Sequence, residues 1–160
     1  MKKKTSRDDF SERKKFQAKP QKVLVSSCLL NEMCRYDGTT KMDILEDLKE
    51  YEVTSFCPEK FMGIPRKKIS LEMTEEKISV IREDGVDITD ELSREIDAFI
   101  ASAPRFDKII LKSKSPSCGF KTTPVMHKEQ LKIENGLFVH KLLGIYDESI
   151  FFDETNYKEN

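Results

Sequence analysis

The sequence contains no tryptophan, two histidines among 160 residues, and no long run of apolar residues. A membrane helix needs about 20 consecutive apolar residues, so we predict that no segment spans a bilayer. The absence of tryptophan excludes a binding cage built from indole rings. The N-terminus also lacks the apolar stretch of a secretory signal, and we therefore expect a cytoplasmic protein.

Neither sign of charge is in excess, because 28 Lys and Arg side chains face 29 Asp and Glu side chains. This balance argues against a uniformly basic nucleic-acid binder. Residues 1–22 nevertheless contain nine basic and three acidic side chains. We predict a flexible basic extension at 1–21, one α/β domain at 22–153 and a C-terminal tail at 154–160. The extension is either a solvated tail or an arm that contacts RNA or a partner.

The four cysteines are Cys28, Cys34, Cys57 and Cys118, and no two of them form a CxxC motif. Zinc ribbons, zinc knuckles and thioredoxin-type redox motifs are therefore poor matches. Disulfides are rare in the cytoplasm, so an even number of cysteines does not imply pairing. Burial as small apolar side chains remains the alternative to a functional role.

Apolar patterning predicts strands that alternate with helices. The predicted strands are 23–25, 52–56, 77–82, 107–112 and 149–152, and the predicted helices are 42–51, 90–103 and 137–146. Thr89 is in position to cap the second of these helices. Such alternation is typical of a single-domain, Rossmann-like α/β fold with a mostly parallel sheet flanked by helices.

Three cysteines follow directly on predicted strands, namely Cys28, Cys57 and Cys118. Ligands of parallel sheets bind beyond the carboxyl ends of the strands, so we expect these thiols to meet at one edge of the sheet. Three thiols without a neighbouring histidine fit an iron–sulfur cluster better than zinc. With three protein ligands, one iron would keep an open position and act as a Lewis acid. Cys34 is a ligand, a spare thiol or incidental.

Four motifs, taken together, resemble the thiouracil desulfidase family, formerly a family of unknown function. They are KVLVSSCLLNEMCRYDG, SFCPEKFMGIPR, VIREDGVDITDEL and IILKSKSPSCG. The resemblance extends from about Val23 to Phe152. It implies a [4Fe–4S] enzyme that removes sulfur from 2-thiouracil, 4-thiouracil or 4-thiouridine monophosphate. The implied reaction is a non-redox hydrolysis at the open iron, which gives the oxo form and hydrogen sulfide.

The resemblance also implies roles for individual residues. The cluster cysteines of the family match Cys28, Cys57 and Cys118, and its catalytic glutamate and serine match Glu59 and Ser115. Glu59 would be the general base for water, and its alternative is a structural carboxylate. Ser115 would relay a proton or orient the substrate, and its alternative is a hydroxyl that stabilises the turn.

The substrate is the least determined feature, because the segment after Cys118 departs from the glycine-rich family pattern. The leading expectation is a small thiolated nucleobase or nucleotide. Lys112 and Lys114 would favour an anionic substrate, unless they are solvated. The basic extension favours the alternative of 4-thiouridine in tRNA. A third hypothesis is a non-enzymatic iron–sulfur or metal-binding module for sulfur trafficking.

Overall fold

The computed structural model describes residues 19–30, 32 and 42–159. Most of the predicted basic extension and Cys34 therefore lie outside the described residues. The strands are β1 Lys22–Ser26, β2 Glu52–Phe56, β3 Ile69–Thr74, β4 Lys77–Arg82, β5 Lys108–Ile110, β6 Thr123–His127, β7 Gln130–Glu134 and β8 Phe151–Phe152. The helices are α1 Thr89–Ser102 and α2 Leu137–Leu142, with 3₁₀ turns at Ser27–Leu29, Leu45–Leu48, Lys60–Met62 and Glu148–Ile150.

The first sheet is parallel throughout and has the strand order β2-β1-β5-β8. Its central strand β1 is buried on both faces, as the continuous apolar run of its sequence predicts. Leu24 of β1 packs into one hydrophobic core, whereas Val23 and Val25 pack into a second core on the opposite face. This sheet confirms the predicted α/β fold with parallel strands.

The second sheet is mixed and has the order β4-β3-β6-β7. Strands β3 and β6 are parallel, while β4 and β7 pair antiparallel with them at the two edges. Leu71, Val80 and Val125 of this sheet pack into the same core as Leu24. The sequence predicted β4 but not the other three strands. Strand β7 in particular is exposed along almost its whole length and shows no buried face.

All three predicted helices differ from the structure, and the last of them ends at Leu142 rather than at residue 146. The segment 42–51 forms only a short 3₁₀ turn, and α1 has Thr89 as its first residue rather than as its cap. The Thr89 hydroxyl instead accepts the Val80 N–H at 2.8 Å, so it ties α1 to β4. Leu92 and Ile96 form the buried face of α1. In the described ranges no helix has the length and apolarity that crossing a membrane requires.

The predicted C-terminal tail at 154–160 makes contacts with the rest of the domain. Tyr157 is buried in the second core, and its hydroxyl donates a hydrogen bond to Asp47. The carbonyl of Tyr157 accepts a hydrogen bond from the Lys108 ammonium group at 2.6 Å. These contacts hold the end of the chain against β5.

Candidate active site

Three loops that leave adjacent strands of the parallel sheet surround one pocket. Strands β1, β2 and β5 lie side by side in parallel, so their carboxyl ends meet at the same edge. The pocket encloses about 340 Å³, which is within the range of small-molecule sites. It is lined by residues 26–28, 56–59, 66 and 112–118.

The structure places Cys28, Cys57 and Cys118 on the wall of this pocket. Cys28 is half-buried in the 3₁₀ turn after β1, Cys57 directly follows β2, and Cys118 is 4% exposed. Burial raises the pKa of the Cys118 thiol to about 12. The nearby charges of Cys57 and Glu59 also raise this pKa, while hydrogen bonds with Ser26 and Ser117 act in the opposite direction.

The loop that presents Cys118, residues 111–119, is folded around Ser115. The Ser115 hydroxyl accepts the N–H of Cys118 at 3.0 Å. The backbone carbonyl oxygen of Ser115 accepts hydrogen bonds from the Gly119 N–H at 3.0 Å and from the Thr123 hydroxyl at 2.6 Å. Ser115 therefore fixes the backbone on which the Cys118 thiol is carried.

The first residues of α2 make backbone hydrogen bonds to the same loop. The N–H groups of Leu137 and Phe138 donate to the carbonyls of Pro116 and Ser117 at 3.2 and 2.9 Å. Gly136 allows this approach, because a Cβ atom there would lie 2.5 Å from the Ser117 carbonyl oxygen. A side chain at this position would push the loop and the helix apart.

Glu59 faces the pocket from the loop after β2, and its side chain is 13% exposed. Its Oε2 atom accepts a hydrogen bond from the Ser117 hydroxyl at 2.7 Å. Its Oε1 atom lies 3.5 Å from Nη2 of Arg66, whose side chain is 4% exposed. Sequence reasoning did not identify Ser117 or Arg66. Ser117 had one signal, its position next to Cys118, whereas nothing in the pattern around Arg66 indicated a contact with Glu59.

A second carboxylate, that of Glu154, anchors the base of the Cys118 loop. It accepts hydrogen bonds from the Ser113 N–H at 2.9 Å, the Ser113 hydroxyl at 2.6 Å and the Lys112 ammonium at 3.0 Å. Burial acts to raise the pKa of Glu154, but the hydrogen bonds from Ser113 and Lys112 outweigh it and the pKa is lowered. Lys112 is thus neutralised by Glu154, whereas Lys114 lies exposed at the rim of the pocket.

The donor set of the pocket is rich in sulfur and contains no imidazole. His127 pairs with Glu134 at 3.0 Å, and neither His127 nor His140 lines the pocket. Across the described part of the chain, no three His, Cys, Asp or Glu side chains gather closely enough to hold a single metal ion. Thiols spread around a pocket suit a polynuclear group, since each cysteine that holds a [4Fe–4S] cluster ligates a different iron.

Fold and pocket together define an α/β domain with a thiol-lined site beyond the carboxyl ends of a parallel sheet. A family model described as 2-thiouracil desulfurase matches residues 23–150, and the chain belongs to this family. A solved structure described as "[4Fe-4S]-dependent thiouracil desulfidase TudS" is similar, with a TM-score of 0.64 and 28% sequence identity. The similarity covers 87% of this chain and 94% of that chain. The search of curated proteins found no significant match.

Proposed function

We propose that the protein is an iron–sulfur-dependent desulfidase that hydrolyses the C–S bond of a small thiolated uracil compound. The observation that carries this proposal is one pocket that combines three thiols with the carboxylate of Glu59, in a chain of the 2-thiouracil desulfurase family. The volume of the pocket suits a nucleobase or nucleotide.

Cys28, Cys57 and Cys118 are the proposed ligands of a [4Fe–4S] cluster. A cluster held by these three thiolates would have one iron without a protein ligand, and it would supply a Lewis acid with affinity for soft thiocarbonyl sulfur. Burial disfavours the free thiolate of Cys118, so this thiol would lose its proton on coordination to a metal.

Glu59 is the proposed general base. Its carboxylate takes a proton from a water molecule as the water oxygen bonds to the thiocarbonyl carbon. The C–S bond then breaks, sulfur leaves as hydrogen sulfide with the protons of that water, and a carbonyl remains. The atoms balance with water as the co-reactant, so the reaction needs no oxidant or reductant. Base catalysis of this kind contributes roughly 10²- to 10⁴-fold in rate.

Ser115 is proposed to begin a hydrogen-bond chain that directs the Ser117 hydroxyl towards Glu59. Its Oγ atom is 3.3 Å from the Ser117 Oγ atom, which in turn donates to Glu59. Because Ser115 Oγ already accepts the Cys118 N–H, its own proton is available to Ser117. We expect Ser115→Ala to lower kcat while the protein retains its iron. Unchanged turnover would leave Ser115 with its turn-stabilising role alone.

The test is turnover by protein purified without oxygen. The substrates are 2-thiouracil, 4-thiouracil and 4-thiouridine monophosphate, and the readouts are loss of thiocarbonyl absorbance and released sulfide. We expect one sulfide per oxo product, and a loss in kcat of about 10²- to 10⁴-fold for Glu59→Gln. Lys121→Met is the control, since Lys121 is exposed and lies outside the pocket.

Three outcomes would contradict the proposal in whole or in part. A full cluster without turnover of any thiolated base, free or in tRNA, would favour a sulfur-trafficking module. Conversion of 4-thiouridine only within tRNA would move the substrate to the nucleic acid. Near-normal turnover of Glu59→Gln would remove Glu59 from the role of base.

A further inference from the structure

We propose that Ser117 is a positioning residue that fixes the carboxylate of Glu59 and joins it to the loop that carries Cys118. The inference rests on the proposed function, in which Glu59 is the base. It concerns the orientation of the carboxylate and assigns Ser117 no contact with substrate.

The carboxylate of Glu59 is held from two sides. Ser117 donates to Oε2 at 2.7 Å, and Nη2 of Arg66 lies 3.5 Å from Oε1. The terminal torsion of a glutamate is otherwise broad, so without these contacts the carboxylate would sample several orientations. A general base must lie within hydrogen-bond reach of the proton it accepts. Two contacts on different oxygens restrict the carboxylate to one orientation.

Ser117 is itself held in place by its backbone. Its carbonyl accepts the Phe138 N–H at 2.9 Å, and its own N–H donates to Ser115 Oγ at 3.3 Å. The residue is 1% exposed, so water does not compete for its hydroxyl. The direction of that hydroxyl is therefore set by the loop and by α2.

The Ser117 hydroxyl also lies beside the thiol of Cys118. Ser117 Oγ is 3.9 Å from Cys118 Sγ, and Ser117 and Cys118 are neighbours in the chain. Glu59, in turn, lies two residues after Cys57, another proposed ligand. The hydrogen bond between Ser117 and Glu59 thus links the loop after β2 with the loop after β5, and it fixes the base relative to two proposed ligands.

The first test is Ser117→Ala in the iron-loaded enzyme. We expect kcat to fall about 10- to 100-fold, since small misplacements of a catalytic group have costs of this order. KM should change by less than about threefold, because Ser117 contacts the carboxylate rather than the substrate. Ser79→Ala on β4 is the matched control, a half-buried serine outside the pocket.

A double-mutant cycle separates positioning from a general structural effect. If Ser117 acts through Glu59, Ser117→Ala should cost less than about twofold in a Glu59→Gln background, since coupled residues are not additive. An equal loss of kcat in both backgrounds would overturn the inference while leaving the desulfidase proposal intact. Wild-type kcat for Ser117→Ala would overturn it as well.

Three further measurements keep the test decisive. Ser117→Thr retains the hydroxyl and should restore turnover, and Arg66→Met should show the same coupling to Glu59→Gln through the other oxygen. A crystal structure of Ser117→Ala gives a readout independent of activity, because the Glu59 carboxylate should be rotated or disordered. An unchanged carboxylate would contradict the inference even if the wild-type enzyme proved inactive on every substrate.

Discussion

The two sheets of this domain differ in burial and in what they contribute. The central strand of the parallel sheet is covered on both faces, and the loops beyond β1, β2 and β5 line the pocket. The mixed sheet covers one core with one face and exposes the other, and within the described ranges none of its strands lines the pocket. Parallel strands bring their carboxyl ends to one edge, whereas antiparallel neighbours send theirs to opposite edges. The contrast places the pocket at the edge of the first sheet, whereas the second sheet contributes packing.

The strongest test of this contrast is Cys118→Ala. We expect the variant to lose activity to background and to bind markedly less iron, because a proposed ligand is removed. The measurement is iron per chain together with sulfide release. Cys34→Ala is the matched control and should retain both, since Cys34 is not among the proposed ligands. Full iron and activity in Cys118→Ala would contradict the ligand assignment.

Gly136→Ala should have a smaller but clear effect on the parallel-sheet site. Its new Cβ would lie 2.5 Å from the Ser117 carbonyl oxygen, so the Cys118 loop must move. We expect a loss of about 1–3 kcal/mol in unfolding free energy, as for other overpacked sites. The control is Gly144→Ala, whose Cβ would meet nothing closer than 3.4 Å. Equal melting temperatures for the two variants would argue against tight packing of the loop.

Glu154 provides a pH-dependent test of the same loop. Its pKa is lowered in the folded protein, so its carboxylate contributes stability at neutral pH, and this is lost as the pH falls through the folded-state value. Glu154→Gln should therefore be less stable than wild type in urea at pH 7. The difference should begin to shrink as the pH falls below the ordinary glutamate pKa of about 4.3, and it should vanish below the lower folded-state pKa. A difference that grew towards acid would reverse the assigned sign.

The smallest effect on stability and turnover is expected for a substitution on the mixed sheet. Ile133 on β7 is 59% exposed, and Ile133→Thr keeps a β-branched side chain there. The unfolding free energy should change by about 0.5 kcal/mol or less, with kcat unaffected. A clear loss of turnover with normal stability would show that the second sheet contributes to function.

The sequence predicted elements with a strong apolar pattern. Strands β1, β2 and β4 and helix α1 each have a run or periodicity that burial imposes, and the structure confirms them. Strands β3, β6 and β7 were missed. Strand β7 alternates polar and apolar residues, yet both of its faces are largely exposed, so no burial pattern marks it.

The site was less predictable from the sequence than the strands and helices were. The strand-end positions of Cys28, Cys57 and Cys118 predicted a common edge, and the structure places all three on one pocket. The contact of Ser117 with Glu59 spans 58 residues, and that of Ser113 with Glu154 spans 41. Such contacts depend on tertiary folding rather than on local patterning. The roles of Glu59 and Ser115 remain predictions that the proposed experiments address.

The proposed cluster is tested first by the content of iron and acid-labile sulfide in protein purified without oxygen. We expect about four of each per chain, as a [4Fe–4S] cluster requires. Protein that contains neither, even after anaerobic reconstitution, would contradict the proposed cluster and the desulfidase chemistry that depends on it.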